Sequence, residues 1–240
     1  MLTAVVTGAD RGLGLSITTG LAKMGWRVFA GKFLEEYSLL EELKKEYPEV
    51  YPVKLDVSKR SDILAAKEYV AGIVDHVDMI VSNAAMMGGP NDSTIHADIP
   101  IGFDNLELAM LTNSLGGPQV CEVFLPLLEK SDYKRLCFVS SEVSSIRLML
   151  RDGGVRYPMS KSALNMAVRM LHNTLYEKGY SFRLYQPGWM RRVNPDGTRA
   201  QGAEIDPDFS AEEALRQFTN SRLDEQRLVL TDYEGHELSF

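Results

Sequence analysis

The segment YPMSK, from Tyr157 to Lys161, places a phenol and an ammonium four residues apart. Residues i and i+4 lie on the same face of a helix, so the two groups would be neighbours in a helical segment. Pro158 is compatible with a helix start, because its missing N–H costs nothing in the first turn. A phenol has a pKa of about 10, and a nearby ammonium would lower it. The spacing indicates a proton-transfer pair, although the same spacing is common on ordinary helices.

A second candidate site follows the first apolar run, in TGADRGLG. Glycines permit a tight turn and the close approach of a ligand, and the next helix would offer its N-terminal N–H groups to a pyrophosphate. The spacing is Gly-x-x-x-Gly-x-Gly rather than G-x-G-x-x-G, so a turn without a ligand is the alternative. The position after the first strand favours dinucleotide binding. The predicted contacts of this loop are Gly8, Asp10, Arg11, Gly12, Leu13 and Gly14.

The end of the second predicted strand bears on which dinucleotide is bound. A carboxylate there would bind the ribose 2′-hydroxyl of NAD, whereas a cation would suit the 2′-phosphate of NADP. The strand ends AGKFLEE, with Lys32 in that place, and Arg11 is a second cation nearby. We therefore predict NADP as the preferred cofactor. NAD stays open, because Glu35 and Glu36 follow closely and either cation could be a solvated surface charge.

These residues require a scaffold in which strands and helices alternate. Apolar runs predict strands at 2–7, 26–31, 51–55, 77–82, 134–140, 180–186 and 227–231. Helical periodicity predicts helices after the glycine loop, at 36–46, around 63–73, and at 102–129, 158–178 and 210–222. This alternation predicts an α/β domain, a doubly wound parallel sheet of about seven strands with helices on both faces. Residues 1–240 would form a single domain, with substrate loops near 142–156 and 190–209.

Composition excludes several other classes of protein. The chain of 240 residues carries 26 Lys and Arg against 33 Asp and Glu, a net charge of -7 that disfavours nucleic-acid binding. Its apolar runs fall short of the roughly 20 residues of a membrane span, and MLTAVVTG lacks the basic start of a signal peptide. The two cysteines, Cys121 and Cys137, are expected to be buried thiols in a cytoplasmic protein.

The four histidines give no indication of a metal site. They are scattered along the chain, and none has a second histidine or a cysteine at helical ligand spacing. They are His76, His96, His172 and His236. We therefore expect no resident metal.

Further signals fall at predicted strand ends, where open α/β sheets bind ligands. They are SNAA at 82–85, LTNSLGGP around Asn113, VSS ending at Ser141, YPMSK, and PGW at 187–189. Each is weak alone, but with TGADRGLG and in this order they resemble the short-chain dehydrogenase/reductase family from residue 2 to about 190. The segments YPMSKSALNMAVRML, PGW and DYEGHELSF are most similar to its carbonyl-reducing, C-factor-like branch. The resemblance implies a Rossmann fold and hydride transfer between a nicotinamide and a small-molecule carbonyl or alcohol substrate.

The resemblance also implies roles for four residues. Tyr157 would be the general acid in carbonyl reduction and the base in the reverse direction. Ser141, rather than Ser140, would hold the substrate oxygen, although Ser144 and Ser145 also lie close in the sequence. Asn113 would kink or bridge its helix and support a water-linked proton path to Lys161. Lys161 would lower the pKa of the phenol and also bind the nicotinamide ribose.

Other residues would contact the cofactor by the same resemblance. Asn83 and Ala84 would line it, and Asp56 and Val57 would contact adenine. The further expected contacts are Tyr157, Lys161, Pro187, Gly188 and Met190. One departure is Arg192, which stands where the family commonly has a threonine that contacts the nicotinamide carboxamide. The family also commonly pairs its long helices between subunits, which implies a homodimer or homotetramer.

The substrate is less well defined by the sequence. Residues 147–156 and 190–199 hold six arginines and two acids, which indicates a local positive field and an anionic carbonyl substrate. The alternatives are that these arginines are solvated loop residues or that they contact the cofactor phosphates. Five methionines near the site could adapt to an apolar ligand, but core packing is the preferred interpretation. They are Met86, Met87, Met149, Met159 and Met190.

Two other functions are compatible with the same fold. A catalytically silent NADP-binding sensor or regulator would not need Tyr157 and Lys161, so their presence disfavours it. An isomerase or dehydratase of the extended relatives needs a larger substrate domain than the chain beyond PGW supplies.

Overall fold

The computed structural model describes residues 1–87, 105–151 and 154–240. Its strands are β1 Thr3–Val6, β2 Arg27–Lys32, β3 Val50–Lys54, β4 Met79–Ser82, β5 Arg135–Val139, β6 Ser181–Gln186, β7 Leu230–Asp232 and β8 Glu237–Leu238. Its α-helices are α1 Gly12–Lys23, α2 Leu39–Glu46, α3 Arg60–Ala71, α4 Leu106–Ala109, α5 Gly116–Leu128, α6 Arg156–Leu175 and α7 Pro207–Thr219. The strand and helix alternation predicted from the sequence is therefore confirmed.

The eight strands form one sheet in the order β3-β2-β1-β4-β5-β6-β7-β8. All neighbours up to β7 are parallel, and β8 pairs with β7 in the antiparallel direction. The chain crosses over between β1 and β4, which puts a crevice at the carboxyl ends of those strands, where such sheets bind ligands. The eighth strand was not predicted, because its two residues are too few for a hydrophobic pattern.

Each face of the sheet carries its own hydrophobic core. Successive residues of β1 alternate between them: Val5 packs with α3, α5 and α6, whereas Ala4 and Val6 pack with α1, α2 and α7. The period of two that a strand imposes thus divides one apolar run between two layers of helices. This arrangement confirms the predicted sheet with helices on both faces.

The helix predicted at 102–129 is interrupted by a π-helical segment, Met110–Leu115, between α4 and α5. Residues 102–104 of that prediction lie outside the described residues. Two glycines bring α5 against the sheet: a Cβ on Gly117 would lie 2.1 Å from Ser82 Oγ, and one on Gly116 would lie 2.8 Å from Val57 Cγ2. Close packing here fixes the position of Asn113, within the π-helical segment.

Three predictions made from composition have different outcomes. Cys121 and Cys137 are both free and buried, as predicted, while the cytoplasmic location stays a prediction. No helix in the described ranges combines the length and hydrophobicity that crossing a bilayer requires. His236 lies 3.5 Å from both Asp232 and Glu234 in the turn before β8. These three exposed groups lie close enough together to share an ion, but exposed acidic groups commonly cluster without one, so the expectation of no resident metal stays a prediction.

Candidate active site

The glycine loop between β1 and α1 is pressed against the end of β4. Gly8 has φ +61°, and a Cβ there would lie 2.7 Å from Ala84 Cα. A Cβ on Gly14 would lie 2.2 Å from the Gly8 carbonyl oxygen. Gly12 also has a positive φ, +55°, but no atom of the described residues lies within 4 Å of the position that its Cβ would take. The loop is thus closed toward the sheet and open at Gly12, a form that fits a dinucleotide diphosphate.

Hydrogen bonds between the strand ends hold this loop in place. Thr7 Oγ1 accepts from the backbone N–H groups of Asn83 and Ala84, each at 3.0 Å. The Asn83 side-chain amide donates to Thr7 O at 3.0 Å and to Gly8 O at 2.8 Å. Asn83 and Ala84, predicted to line the cofactor, thus also join β4 to the glycine loop. Sequence reasoning assigned no role to Thr7.

The carboxylate of Asp10 fastens the segment that follows β2. Its Oδ1 accepts from Phe33 N at 2.7 Å and from Leu34 N at 3.0 Å. Burial raises the pKa of Asp10, although these backbone hydrogen bonds oppose the rise. Asp10 was predicted as a cofactor contact. The structure gives its carboxylate a positioning role at the edge of the loop, and nothing in the sequence indicated that role.

The two cations predicted for NADP lie in different surroundings. Lys32 Nζ is paired with Glu41 Oε1 at 2.8 Å. Arg11 Nη1 donates to the Tyr37 hydroxyl at 2.6 Å and to Val193 O at 3.3 Å. Within the described ranges Arg11 has no acidic partner, so its charge is less neutralised than that of Lys32. Leu13, the remaining predicted contact of the loop, is buried in the first turn of α1.

Ser141, Tyr157 and Lys161 lie together beyond the carboxyl end of β5. Ser141 begins a 3₁₀ turn, Glu142–Ser144, and its Oγ accepts from Val143 N at 3.4 Å. Tyr157 is the second residue of α6, and its hydroxyl lies near enough to the Ser141 side chain to influence the pKa of the phenol. Lys161 lies one turn later, with its Nζ 5.7 Å from the centroid of the Tyr157 ring and 2.9 Å from Val139 O. A phenol, a hydroxyl and an ammonium thus share one small region.

Burial controls the pKa values of this group. It raises the pKa of Tyr157 to about 12, while hydrogen bonding to Ser141 and the charge of Arg151 act in the lowering direction. It lowers the pKa of Lys161 to about 8. Exclusion of water disfavours the charged form of each group, so the expectation that Lys161 depresses the phenol pKa was wrong for this structure. At neutral pH the phenol holds its proton, as a general acid must.

A buried network beside Ser141 uses the other serines. Ser140 Oγ donates to Asn165 Oδ1 at 2.6 Å, and Asn165 Nδ2 donates to Ser144 Oγ at 2.7 Å. The hydroxyls of Ser140 and Ser144 are therefore engaged in packing α6 against the end of β5, which favours Ser141 as the residue that faces a substrate. Asn165 was not predicted. Its spacing in the sequence could have indicated this role, because Asn165 lies four residues after Lys161 and therefore on the same face of the helix.

Asn113 joins three segments from within the π-helical turn. Its side chain exchanges hydrogen bonds with Met86, accepting from the N–H at 2.6 Å and donating to the carbonyl at 2.8 Å. The amide also donates to Ser160 Oγ at 2.9 Å. Asn113 thus lies next to the residue that precedes Lys161 and makes no hydrogen bond to Lys161 itself. The predicted interruption of its helix is present as the π-helical segment.

Two predicted adenine contacts lie after β3. Asp56 Oδ1 accepts from the N–H and hydroxyl of Ser58, at 3.0 and 2.6 Å, and Oδ2 lies 3.1 Å from Lys59 Nζ. Val57 is buried against Gly116 of α5. Both residues are therefore at the expected sheet end, with the Asp56 carboxylate already closing a local turn.

The turn after β6 brings the last predicted contacts to the same sheet end. Gly188 has φ +77°, which favours glycine. The carbonyl oxygen of Pro187 accepts from Ser210 Oγ at 2.9 Å, so the start of α7 supports the turn. Met190 pairs with Ile205 as an isolated bridge. These contacts place backbone rather than polar side chains beside the crevice.

The six arginines near the site are not equally available. Arg151 lies 3.6 Å from Glu142, and Arg199 is paired with Asp206 and Asp208 at 3.3 and 3.2 Å. Arg156 is buried. The exposed remainder is Arg147, Arg191 and Arg192. The predicted positive field is therefore smaller than the count of arginines indicated, and Asp152 of that region lies outside the described residues.

Apolar side chains near the site are exposed to an unusual degree. Ile146 and Leu150, in the loop before α6, are 89% and 95% exposed. Trp189, Met87 and Met159 are also exposed. Core packing was therefore the wrong interpretation of Met87 and Met159. We call these five residues the apolar rim, because each belongs to a segment adjoining Ser141, Tyr157, Gly188 or Met86.

Comparison with known proteins identifies the family. The sequence pattern described as short chain dehydrogenase matches residues 2–200. An uncharacterized oxidoreductase of Schizosaccharomyces pombe is 30% identical over 215 residues, 88% of this chain and 83% of that protein. The C-signal protein of Myxococcus xanthus is 31% identical over 124 residues, 51% of this chain and 72% of that protein. The chain belongs to the short-chain dehydrogenase family, as its ordered motifs predicted.

Solved structures share the fold over essentially the whole chain. The carbonyl reductase Sniffer of D. melanogaster superposes with a TM-score of 0.87 at 21% identity, with 100% of both chains covered. The NADPH-bound carbonyl reductase from chicken fatty liver superposes with a TM-score of 0.83 at 24% identity, covering 99% of this chain and 98% of that one. Identities this low carry the fold alone. The assignment to the carbonyl-reducing, C-factor-like branch therefore stays a prediction.

Proposed function

We propose that this protein is an NADPH-dependent reductase that transfers hydride between a nicotinamide and a carbonyl or alcohol carbon. The observation that carries the proposal is the grouping of Ser141, Tyr157 and Lys161 at the carboxyl end of β5, which is the same end of the parallel sheet as the glycine loop after β1. A named neighbour, the chicken carbonyl reductase, binds NADPH. Arg11, which has no acidic partner among the described residues, supports NADP over NAD here.

Each of the three side chains has a distinct task in this proposal. Ser141 donates a hydrogen bond to the carbonyl oxygen and orients it. Tyr157 donates its phenolic proton to that oxygen as the alcohol forms. Lys161, with a pKa of about 8, can return a proton toward the phenol near neutral pH and can bind the nicotinamide ribose. The bound nicotinamide supplies the hydride.

The test is NADPH oxidation with a panel of ketones and aldehydes. Replacing Tyr157 with Phe removes the proton donor and should lower kcat by about 100-fold or more, with NADPH affinity nearly unchanged. Tyr69→Phe, on an exposed face of α3, is the matched control. NADPH binding without turnover of any compound by the wild type would favour the silent sensor instead.

We also propose that the substrate is a bulky apolar carbonyl compound with an anionic group at one end. The apolar rim supports the first feature, and the exposed guanidinium groups of Arg191 and Arg192 support the second. An Arg191→Ala/Arg192→Ala variant should raise KM about fivefold for a keto acid, because an exposed charge pair contributes up to about 1 kcal/mol. The KM values for the matched neutral ketone and for NADPH should stay unchanged. Equal increases for both ketones would contradict the anionic feature.

Self-association is proposed through the helices on one face. Met166 and Met170 of α6 and Leu115 before α5 are exposed apolar side chains at that surface. A dimer or tetramer that buries them should appear in light scattering after size-exclusion chromatography. A Met166→Glu/Met170→Glu variant should run as a smaller species. A wild type that is monomeric at high concentration would exclude the proposal.

A further inference from the structure

The hydroxyl of Tyr37 joins the glycine loop to the chain that follows β6. It accepts from Arg11 Nη1 at 2.6 Å and donates to Val193 O at 3.0 Å. Arg11 Nη1 also reaches that carbonyl oxygen, at 3.3 Å, and the guanidinium carbon lies 5.0 Å from the Tyr37 ring centroid. Three segments that are distant in the sequence thus meet at one phenol. We call Arg11, Tyr37 and Val193 the clasp.

Two members of the clasp are buried, Arg11 is half-buried, and neighbouring residues hold the clasp in place. Tyr37 and Val193 are 2% and 3% exposed. The segment from Phe33 to Tyr37 is fastened at its start by Asp10, which binds the N–H groups of Phe33 and Leu34. Two adjacent residues of the glycine loop, Asp10 and Arg11, therefore hold both ends of this segment, so the Tyr37 ring has little freedom to move independently of the loop.

Val193 belongs to a small hairpin over residues 192–200. Val193 pairs with Arg199, Ala200 N donates to Arg192 O at 2.8 Å, and Asn194 N donates to Thr198 O at 2.9 Å. A Cβ on Gly197, at the turn, would lie 3.8 Å from Leu39 Cδ2 at the start of α2. The hairpin thus contacts the part of the protein that would bind the adenosine half of a dinucleotide, although it belongs to the loop predicted for substrate.

We propose that Tyr37 is a positioning residue that couples recognition of the nucleotide 2′-phosphate by Arg11 to the order of the 192–200 hairpin. The proposal rests on the proposed function, in which Arg11 is a cation for NADP. The Tyr37 ring supports one face of the guanidinium and its hydroxyl holds Nη1, while Nε and Nη2 make no hydrogen bond with the described residues. Those two donors match a phosphate in the bidentate manner.

Coupling follows because one guanidinium nitrogen serves both partners. A phosphate that orders Arg11 also orders the donor to Val193 O, and so the hairpin. By reciprocity, an ordered hairpin must strengthen phosphate binding by the same factor. NAD, which lacks the phosphate, would leave the hairpin less ordered than NADP.

The first experiment measures binding of 2′,5′-ADP and 5′-AMP, which differ by the 2′-phosphate, using titration calorimetry. Tyr37→Phe keeps the ring and removes the hydroxyl. It should weaken 2′,5′-ADP about tenfold, the scale of one hydrogen bond to a charged group, and change 5′-AMP by less than about twofold. Tyr69→Phe, with its exposed ring, is the control. An unchanged affinity for 2′,5′-ADP, or equal losses for both nucleotides, would overturn the proposal.

The second experiment follows the hairpin itself by limited trypsin digestion. Arg191, Arg192 and Arg199 are exposed cleavage sites in and beside it. In the wild type, 2′,5′-ADP should slow cleavage there more than 5′-AMP does, and in Tyr37→Phe the two should protect equally. Gly197→Ala strains the turn, where φ is +82°, and should weaken 2′,5′-ADP without touching the nucleotide. Equal protection in the wild type, or an unaltered affinity in Gly197→Ala, would overturn the coupling.

Neither experiment depends on turnover, so failure of the proposed reductase function can be distinguished from failure of the proposed coupling. A wild type that does not bind 2′,5′-ADP contradicts both the NADP assignment and the coupling. If the wild type binds 2′,5′-ADP, and Tyr37→Phe and Gly197→Ala bind it with the same affinity as the wild type, only the coupling is contradicted. If the wild type shows no turnover but Tyr37→Phe binds 2′,5′-ADP more weakly than the wild type, the reductase activity is contradicted and the coupling is supported.

Discussion

Lys161 places an ammonium where water is nearly excluded, since only 1% of the residue is exposed. Its Nζ donates to Val139 O at 2.9 Å, and burial lowers its pKa to about 8. Burying a charge costs free energy unless it is fully paired, so the fold keeps this group at the expense of stability. A role of the ammonium in assisting the neighbouring phenol and binding a ribose would explain this cost. Because the cost appears in the stability of the protein, the burial of Lys161 can be tested without any substrate.

We expect the difference in stability between the wild type and Lys161→Met to grow in favour of the wild type between pH 8 and pH 10. The pKa of Lys161 is about 8 in the folded protein against 10.5 ordinarily, so at this residue the unfolded chain binds more protons in this window and its contribution to stability increases with pH. Burial raises the pKa values of the Cys121 and Cys137 thiols, which act in the opposite direction in both proteins and therefore cancel in the difference. The full effect is up to about 3 kcal/mol. Tyr157, whose pKa is raised to about 12, opposes it only above about pH 10.

Urea unfolding at several pH values measures this effect. Lys178→Met, at an exposed position, is the control and should keep the wild-type slope. If Lys161→Met and the wild type show the same dependence on pH, the ammonium is not buried in solution as it is in this structure.

Among the elements, the turn between β1 and α1 depends on its neighbours as much as on its own glycines. Gly14 is closed in by Gly8 O and by Asn83 Nδ2, from which a Cβ would lie 2.2 and 2.5 Å away. Gly12 is required by its backbone angle alone. Two positions of the same loop therefore require glycine for different physical reasons, and substitution of each should have a different effect.

We expect Gly14→Ala to abolish NADPH binding and to destabilise the protein more than Gly12→Ala does. A methyl group at Gly14 must displace backbone, whereas at Gly12 it meets open space and adds about 1–2 kcal/mol of left-handed strain. Thermal unfolding and NADPH fluorescence titration of both variants provide the measurement. Equal loss of stability in the two variants would show that the contact with Asn83 does not govern the turn.

The sequence was informative wherever one local pattern determines one local structure. Strand–helix alternation, the glycine turn and the YPMSK helix start are of this kind, because each follows from periodicity or backbone sterics. The role of Asp10, the Tyr37 bridge and the Asn165 network were not predictable, since their partners lie 21 to 182 residues away. The direction of the Tyr157 pKa was mispredicted because a linear pattern shows a charged neighbour but not the exclusion of water.

At the scale of the whole molecule, two buried arginines close the end of the sheet opposite the site. Arg135, near the start of β5, donates to Phe218 O and Asn220 O at 2.7 and 3.0 Å. Arg183, in β6, donates to Asn220 O at 2.7 Å and binds both carboxylate oxygens of Glu225. They cap the C-terminus of α7 and tie down the chain that leads to β7. The position of α7, which supports the turn at Pro187, thus depends on contacts remote from the crevice.

We expect Glu225→Gln to lower the free energy of unfolding by about 3–5 kcal/mol, because it leaves the Arg183 guanidinium buried without its counter-charge. Glu237→Gln removes an exposed pair with Arg227 and should change stability by at most about 1 kcal/mol. Chemical denaturation of both variants compares them directly. Similar small effects would mean that the carbonyl oxygens alone satisfy Arg183.

The outermost strands of the sheet have a consequence for solubility at high concentration. Leu55 N donates to Lys32 O, so alternate residues of β3 face β2 and the nitrogen of Pro52 faces outward, where it offers no N–H. At the other margin, β8 exposes only two residues. In the part of the chain that the structure describes, neither margin presents a long row of free backbone groups, which disfavours side-by-side stacking of chains through their sheets. Concentrated solutions should therefore resist amyloid-type aggregation for as long as the native fold persists.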